Sequence, residues 1–274
     1  MKYEEAINAQ YGQSDLGNKL LSALQEEGFD SAEGIKKALA RIEELHLGGS
    51  VATLELAQKV SINENSRVLD IGCGIGGPAR NLASTFGCHV TGIDLSKDYC
   101  QAAEIINHYL GLSDFIKIIQ GNALNMHFNM GEFDVIFIQH VLMNIENKSQ
   151  LLSQIYKILS PKGRLALNTI CTGSIRPILF PVIFASDPSI SFLIPENELH
   201  QLIINSGFEE LSWDNVTNDI LEGIQRARSR PRTNQPRSSI ADLIFSNVSE
   251  KWRNGVRNLK EDRWVVIRGA FERS

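Results

Sequence analysis

Short apolar segments alternate with segments of helical apolar spacing from about residue 61 to the end of the chain. The apolar segments predict strands, because short and largely apolar runs are typical of strands buried on both faces. Strands that alternate with helices indicate a parallel sheet with helices packed on both faces. The predicted strands are, in chain order, RVLDI, HVTGIDL, FIKIIQG, FDVIFIQ, RLALNTI, FEELSWDNV and RWVVIRGAFER.

Helices are predicted between these strands and before the first of them. Ser96 can cap the N-terminus of the predicted helix that it begins, and Asp30 or Ser31 can cap another. Three predicted helices precede the first strand, so we expect an N-terminal helical cap or lid at 1–60. The sheet then belongs to a domain at 61–274 with a cap insertion at about 218–260. The predicted helices are SDLGNKLLSALQEEG, DSAEGIKKALARIEELHLGG, VATLELAQKV, PARNLASTFG, SKDYCQAAEIINHYLG, KSQLLSQIYKILS and PENELHQLIINSG.

The chain has 274 residues, of which 43% are hydrophobic and 22% charged, and its formal net charge is −5. This acidic balance gives no electrostatic footprint for nucleic acid, and an arginine-rich stretch at 226–237 predicts only an exposed loop. The first residues show no signal-peptide pattern, and the longest apolar run, at 177–185, is too short to span a membrane. Four scattered cysteines predict reduced thiols and no metal site. We expect a cytoplasmic protein without membrane or nucleic-acid partners, and its oligomeric state stays open.

A glycine-rich turn, DIGCGIGG at 70–77, includes the end of the first predicted strand. Its glycines fit both G-x-G-x-x-G, the dinucleotide fingerprint, and D-x-G-x-G-x-G, so their spacing alone does not choose a cofactor. Asp70 favours one of them, because a dinucleotide places its pyrophosphate against this turn and a carboxylate would repel it. S-adenosyl-L-methionine (SAM) has no phosphate and carries an ammonium and a sulfonium, which suit an acidic strand end. The turn therefore favours SAM.

Further polar residues stand where predicted strands end. Asp94 ends the second strand, and a carboxylate there can accept hydrogen bonds from both ribose hydroxyls, which NAD and SAM share. Asn122 follows the third strand and Gln139 ends the fourth. Parallel strands bind ligands at their carboxyl ends, so we expect these residues and Asp70 to converge at one rim of the sheet.

Five ordered motifs, spanning about residues 67–170, resemble those of class I SAM-dependent methyltransferases: RVLDIGCGIGGPARNLA, VTGIDLS, IIQGNAL, FDVIFIQHVLMNI and LSPKGRLAL. Upstream, LHLGGSVATLELA at 45–57 is similar to the G-G-x-x-A-T element of phosphoethanolamine methyltransferases and sarcosine/dimethylglycine N-methyltransferases. With FASDPSISFLIP and WVVIRGAFER, the chain resembles the sarcosine/dimethylglycine group most. The resemblance implies a Rossmann-like α/β fold: a seven-stranded, mostly parallel sheet whose last two strands are antiparallel.

The resemblance also implies which residues touch the methionyl part of SAM. Gly72 and Gly74 would let the backbone approach it, and Gln139 would sit beside it. Gly48 and Gly49 would close over the methionyl carboxylate.

At the other end of the cofactor, the resemblance implies that Asp94 holds the ribose and that Leu95 packs on the adenine. Asn122 and Ala123 stand where many members have Asp-Ala facing the adenine amine. The amide oxygen of Asn122 can still accept that hydrogen bond.

The segment after the fourth strand departs from the family. In phosphoethanolamine methyltransferases the corresponding segment ends in a functional histidine, but the aligned residue here is Asn144, which cannot accept a proton as histidine does. His140 stands four residues earlier, and this helical spacing would let both side chains face one pocket. We take His140 as the candidate base or orienting group and Asn144 as a second catalytic candidate. The alternative is that His140 only orders the loop.

Three residues are candidates for contact with the methyl acceptor. Tyr11 belongs to the predicted lid, and Phe184 offers an apolar wall in the stretch at 176–192. Asp187 could pair with a cationic acceptor, although it could equally begin the turn at Pro188. Packing between lid and core is the alternative for Tyr11 and Phe184.

These observations predict a SAM-dependent methyltransferase that acts on a small molecule, with an amine nitrogen as the favoured acceptor. The alternatives are O- or C-methylation of a natural-product or quinone-like acceptor, and a SAM-binding regulator without turnover. Methylation of nucleic acid is disfavoured, because QHVLMNI lacks the Asn/Asp-Pro-Pro-aromatic element that grips a flipped base.

Overall fold

The computed structural model describes residues 3–40, 42–44, 46–229, 240–244 and 246–274. Seven strands form one sheet, whose order by strand number is 3-2-1-4-5-7-6. All neighbours are parallel except the seventh strand, which runs antiparallel to the fifth and the sixth. The predicted α/β fold is therefore confirmed. The strands are β1 (Arg67–Ile71), β2 (His89–Asp94), β3 (Ile116–Gln120), β4 (Phe133–Gln139), β5 (Leu159–Thr172), β6 (Phe208–Asn215) and β7 (Trp264–Arg273).

Helices surround the sheet and precede it. The four before β1 include α1, which the sequence reading missed. None of the described helices is both long and apolar enough to cross a bilayer. The helices are α1 (Tyr3–Tyr11), α2 (Leu16–Glu26), α3 (Ala32–Leu39), α4 (Gly49–Lys59), α5 (Gly77–Phe86), α6 (Lys97–Tyr109), α7 (Lys148–Ile158), α8 (Glu196–Asn205), α9 (Thr217–Ser229), α10 (Ile240–Ile244) and α11 (Val248–Lys260).

Alternate residues of the central strands point to opposite faces, and each face has its own apolar core. In β4, Ile136 and Ile138 join a core that includes residues of α7 and α8. Val135 and Phe137 of the same strand join a core with residues of α4 and α5. Because helices cover both faces of the sheet, residues that point to either face are apolar. The strands therefore appear in the sequence as continuous apolar runs.

Several boundaries differ from the sequence prediction. The helix predicted as DSAEGIKKALARIEELHLGG is shorter in the structure, where α3 ends at Leu39. The fifth strand was predicted only as RLALNTI, but β5 begins at Leu159, and its register against β4 shifts between Phe133 and Val135. The arginine-rich stretch at 226–237 was predicted as a loop, which is wrong at its start, since α9 continues to Ser229. A helical amphipathic pattern outweighs the local arginines there. The rest of the stretch lies outside the described residues.

A buried ion pair fastens the N-terminal helices to the sheet. Arg80 of α5 is only 2% exposed and donates through Nη2 to Oε2 of Glu43 at 2.6 Å. The same guanidinium donates to Asn107 Oδ1 at 2.8 Å and to the carbonyl of Ile75 at 2.7 Å. Its donors are thus shared between the segment after α3, the helix α6 and the glycine turn. The Glu43–Arg80 pair therefore anchors the N-terminal cap beside the glycine turn.

Glu43→Ala is expected to lower the free energy of unfolding by about 3–5 kcal/mol, because it leaves the Arg80 charge buried without its partner. Urea unfolding followed by circular dichroism measures this. The matched control is Glu33→Ala, which removes an exposed partner of Lys37 and should change the value by no more than about 0.5 kcal/mol. Equal effects of the two substitutions would contradict the anchoring role.

Candidate functional site

The glycine turn after β1 favours glycine at two positions for different reasons, a lack of space at Gly72 and the backbone conformation at Gly74. Gly72 has a φ of +71°, and a Cβ there would lie 2.1 Å from Cγ2 of Val141. Gly74 has a φ of +55°, also in the left-handed region. Its amide donates to Oδ2 of Asp94 at 2.9 Å. The turn is therefore fixed in a shape that side chains would prevent, and it leads directly into the N-terminus of α5.

Asp94 ties two elements together at the end of β2. Besides the bond from Gly74, its Oδ1 accepts the amide of Ser96 at 2.8 Å. The hydroxyl of Ser96 in turn accepts the amide of Tyr99 and caps α6, as predicted. Asp94 is half-buried, and each of its oxygens has lone pairs beyond the one that an amide uses.

Asp70, in β1, is a buried carboxyl group at the rim of the sheet. Its side chain is 1% exposed, and its Oδ2 has no hydrogen-bond partner among the described residues. Burial, together with the nearby carboxylates of Glu44 and Asp94, raises the pKa of this carboxyl to about 7. An unpaired buried carboxyl among other acids is a site that attracts a cation.

A second pair of glycines lies across the rim, at the start of α4. Gly48 has a φ of +100°, and a Cβ there would collide with Arg268 Nη2 at 2.3 Å. Gly49 follows with a φ of +52° and open space beside it. The first amides of a helix are suited to bind an anion such as a carboxylate. Gln139, at the end of β4, donates to Thr53 Oγ1 of α4 at 3.1 Å and so holds this helix against the sheet.

His140, just after β4, has a strained backbone and a hydrogen-bonded ring. Its φ is +53°, which is rare outside glycine, and its amide donates to the carbonyl of Asn168 at 2.7 Å. Nε2 accepts the amide of Leu47 at 3.3 Å. Burial lowers the pKa of His140 well below its usual value, and the positive charge of Arg268 acts in the same direction. The imidazole is therefore neutral at physiological pH.

His46 is a site residue that the sequence reading missed. Its Nε2 lies 2.9 Å from Oε2 of Glu44, and both side chains are 3% exposed. The only sequence signal was its place immediately before the Leu47-Gly48-Gly49 element. His46 also contacts Asn168 of β5, and no local sequence pattern connects two residues so far apart in the chain.

Asn144 holds the loop at 180–192 rather than pointing freely into a pocket. Its Nδ2 donates to the carbonyls of Phe184 at 3.0 Å and Ile190 at 2.7 Å. The amide of Phe192 donates to Met143 just before it, at 2.7 Å. Asn144 and His140 lie on the same segment, but the side-chain amide of Asn144 donates to this loop.

The three predicted acceptor residues lie in different environments. Tyr11 donates its hydroxyl to the carbonyl of Phe184 at 3.3 Å and packs edge-on against Tyr99. Phe184 is buried beside Trp264. Asp187 is exposed and accepts the amide of Ser189, as a turn residue does. Hydrogen bonds from the side chain and the amide of Ser189 lower the pKa of Asp187.

Phe184 belongs to a buried apolar group that we call the lid cluster. It contains residues of α1, the loop at 178–193, α9, α11 and β7, and it reaches the rim through Leu47 and Leu95. Its described members are Ile7, Met143, Ile170, Val182, Phe184, Ala185, Ile190, Val216, Ile220, Leu259, Trp264 and Val266, with Tyr11, Leu47, Leu95, Ile178, Phe180, Leu193, Leu221 and Ile224 packed against them.

The third strand end also contacts the lid. Asn122 accepts the amide of Leu124 on Oδ1 at 2.8 Å and donates through Nδ2 to Oε1 of Glu4 in α1, also at 2.8 Å. Ala123 packs against the core of the sheet. The helix α1 therefore reaches from the loop at 180–192 to the far end of the rim.

The comparisons with known proteins agree with this geometry. Residues 69–167 match the protein family described as "Methyltransferase domain". Residues 69–167 therefore match a methyltransferase domain, and the strand order around them is that of a Rossmann-like α/β sheet. The predicted resemblance to methyltransferases is thereby confirmed.

Among curated relatives, the chain is 24% identical to phosphoethanolamine N-methyltransferase 1 of Arabidopsis thaliana, over 80% of this chain and 45% of that protein. It is 32% identical to the glycine/sarcosine/dimethylglycine N-methyltransferase of Actinopolyspora halophila, over 57% of this chain and 29% of that protein. The chain thus spans less than half the length of these relatives.

One solved structure matches the fold over nearly the whole length of both chains. It is geranyl diphosphate C-methyltransferase from Streptomyces coelicolor A3(2), in complex with Mg²⁺, geranyl diphosphate and S-adenosyl-L-homocysteine. The TM-score is 0.68 at 18% identity, and the match covers 100% of this chain and 99% of that chain. Relatives that methylate nitrogen and a neighbour that methylates carbon therefore share this architecture.

The unpaired carboxyl of Asp70 predicts how stability depends on pH. Its pKa is about 7 in the folded protein and about 3.9 when unfolded, so the folded state holds the proton more tightly. Its contribution to stability is therefore greatest at low pH and is lost as the pH rises through 7. Asp70→Asn should gain stability relative to wild type by about 1–3 kcal/mol between about pH 5 and about pH 8.

Urea unfolding of both proteins at the two pH values measures this difference. A gap that stays constant with pH would show that Asp70 has an ordinary pKa. Asp134→Asn, which alters an accessible carboxylate bonded to Arg67, is the control for general pH effects.

Proposed function

We propose that the protein transfers the methyl group of SAM to a small-molecule acceptor, with an amine nitrogen as the first candidate. The observation that carries the proposal is the rim itself. A turn restricted to glycine lies beside a buried carboxyl without a partner, and Asp94 stands at the next strand end. These groups suit a cofactor that carries positive charge and a ribose but no phosphate.

The methionyl half of SAM would lie against Gly72 and Gly74. Its ammonium and sulfonium would provide the positively charged partner that the buried carboxyl of Asp70 lacks. Its carboxylate would face the first amides of α4 at Gly48 and Gly49. Gln139 would line the same part of the site from the end of β4.

The ribose would bind to the accessible lone pairs of Asp94. The adenine would pack on Leu95, which already belongs to an apolar surface. Asn122 and Ala123 would face the adenine amine. Since the oxygen of Asn122 uses one lone pair for the amide of Leu124, it has a second lone pair for this contact.

Transfer is an in-line displacement at the methyl carbon. A bond from the acceptor nitrogen to carbon forms as the carbon–sulfur bond breaks, and the products are the methylated amine, S-adenosyl-L-homocysteine and a proton. The sulfonium is the leaving group, so the protein contributes position and exclusion of water. The amine must be neutral to attack.

His140 acts as an orienting group in this scheme rather than as the base. Its low pKa makes it a weak proton acceptor, and its Nε2 lone pair is already engaged by the amide of Leu47. Its Nδ1–H remains as a donor. Asn144 acts on the acceptor side through the carbonyls of Phe184 and Ile190, which it fixes in place.

Residues 1–60 act as the lid in this proposal. Polar contacts that hold α1 in place include those of Asn122 with Glu4, of Gln10 with the carbonyl of Ile183, and of Tyr11 with the carbonyl of Phe184. Opening them would admit the cofactor and the acceptor. Residues 218–260 would complete the acceptor side through α9 and α11.

A second candidate is O- or C-methylation of an apolar acceptor. The lid cluster favours it, because aliphatic and aromatic side chains would surround the body of such a molecule without pairing a cation. Asp187, the carboxylate expected to pair with an amine, is exposed and serves a turn. The full-length fold match to a C-methyltransferase agrees with this candidate.

Calorimetry and a product screen test the proposal. SAM and S-adenosyl-L-homocysteine should bind and NAD should not. Incubation with SAM and small amines, phenols and terpenoid-like acceptors should release S-adenosyl-L-homocysteine, and mass spectrometry of the products identifies the methylated atom. Binding of SAM without turnover on any acceptor would favour a regulator, and binding of NAD alone would refute the proposal.

Asp94→Ala is expected to weaken SAM binding at least tenfold, because it removes charge-assisted hydrogen bonds worth about 1.5–3 kcal/mol each. Calorimetry measures the dissociation constant. Asp134→Ala, which removes a carboxylate at the start of β4, should bind SAM as wild type does. An unchanged affinity in folded Asp94→Ala would exclude the ribose role.

His140→Ala is expected to lower kcat while the SAM dissociation constant stays near the wild-type value. Because the pKa of His140 is well below its usual value, the wild-type rate should show no limb between about pH 6 and about pH 7 that this substitution removes. Steady-state kinetics across pH on both proteins measure this. A limb in that range that disappears in His140→Ala would instead establish His140 as the base.

A further inference from the structure

Two histidines lie side by side beneath the Gly48–Gly49 turn. The ring centroids of His46 and His140 are 5.9 Å apart. His46 comes from the segment before α4, whereas His140 follows β4, so the pair spans the junction of cap and sheet. Histidines enclosed in this way are held in one protonation state by the hydrogen bonds around them.

The bonds of His46 define its tautomer. Nε2 faces the carboxylate of Glu44 at 2.9 Å, and a carboxylate only accepts, so Nε2 carries the proton. Nδ1 faces Nδ2 of Asn168 at 3.3 Å. That amide nitrogen also donates to the carbonyl of Leu47 at 3.0 Å, which fixes the amide's orientation. An amide nitrogen only donates, so Nδ1 of His46 is unprotonated and the ring is neutral.

The bonds of His140 define the opposite tautomer. The amide of Leu47 donates to Nε2 of His140, so the proton of this neutral ring is on Nδ1. Leu47 is therefore held from both sides: its carbonyl is bound by Asn168 and its amide is bound by His140. Movement of the Leu47 backbone would free the ring of His140.

Glu44 is itself anchored to two helices. Oε2 accepts the hydroxyl of Thr53 in α4 at 2.6 Å, and Oε1 accepts Nδ2 of Asn81 in α5 at 2.8 Å. Asn81 also donates to the carbonyl of Ser50 at 3.4 Å. Every part of the Glu44–His46 pair is thus connected to a rigid element.

We propose that Glu44 and His46 form a positioning pair, which acts through Asn168 and the Leu47 backbone to hold His140 with its proton on Nδ1. The pair does not touch the reacting atoms. It rests on the proposed function only for the use of His140, whose Nδ1–H then remains free to orient the acceptor. The pair also accounts for the strained φ of His140, because strain persists where surrounding bonds over-determine the backbone.

Nuclear magnetic resonance of the ¹⁵N-histidine-labelled protein tests the proposal without a known acceptor. Long-range ¹H–¹⁵N correlations distinguish a protonated from an unprotonated ring nitrogen, and His140→Gln assigns the signals of His140. Wild type should show His140 with the proton on Nδ1 and His46 with the proton on Nε2. A wild-type His140 protonated on Nε2 would overturn the proposal.

The variants separate positioning from folding. His46→Leu should shift the signals of His140 toward the mixture of tautomers of an unconstrained imidazole. His46→Asn should keep the wild-type tautomer, because its Oδ1 can accept from Asn168 in place of Nδ1. His200→Leu, which removes the surface pair with Glu210, is the matched control and should change nothing at His140.

A folded His46→Leu protein with an unchanged His140 would refute the positioning role. If His46→Leu does not fold, Asn168→Asp is the second variant, because a carboxylate repels the Leu47 carbonyl and should release His140. An unchanged tautomer there would refute the role as well. Calorimetry with SAM on wild type is a separate test: absence of SAM binding would refute the proposed function and leave the tautomers as they are.

Discussion

Both oxygens of Asp94 accept backbone amides, one from the glycine turn and one from the start of α6. This pair of hydrogen bonds fixes the rim, because it sets the distance between the ends of β1 and β2. The turn can take the required shape only with glycine at position 72, where Val141 fills the space of a side chain. Once the turn is fixed, α5 begins beside it, and Arg80 of that helix anchors the cap.

The buried carboxyl groups of the cap and the rim differ in whether they have hydrogen-bond donors. Glu43 is paired with Arg80, and Glu44 is paired with His46, so neither carboxylate is left without donors. Asp70 is as deeply buried and lacks a donor on Oδ2 among the described residues. A fold that satisfies two carboxylates and leaves a third unsatisfied has placed the third where a ligand can complete it.

Much of this arrangement was predictable from the sequence, because it follows from local patterns. Apolar runs located the strands, Ser96 and Ser31 capped the helices as expected, and DIGCGIGG located the glycine turn that we propose as the cofactor site. The Glu44–His46–Asn168 connection was not predictable, since His46 and Asn168 are 122 positions apart. The helix α1 was missed because its sequence, YEEAINAQY, has a weak apolar stripe.

The roles of His140 and Asn144 needed the structure for a different reason. A four-residue spacing suggested that both face one pocket, as on a helix. The segment instead has a left-handed residue at His140 and only a short 3₁₀ turn from Leu142 to Asn144. Helical spacing does not apply across such a backbone, so Asn144 turns to the loop while His140 turns to Leu47.

The neutral state of His140 constrains the chemistry that the site can perform. A ring with a low pKa and an occupied Nε2 cannot take a proton from an ammonium without losing the amide of Leu47. Under the proposed function, an acceptor must therefore arrive already able to attack, as a neutral amine, an activated carbon or an oxygen deprotonated elsewhere. The protein then needs only to align the acceptor with the sulfonium and exclude water. The lid cluster suits that task, because its apolar side chains exclude water.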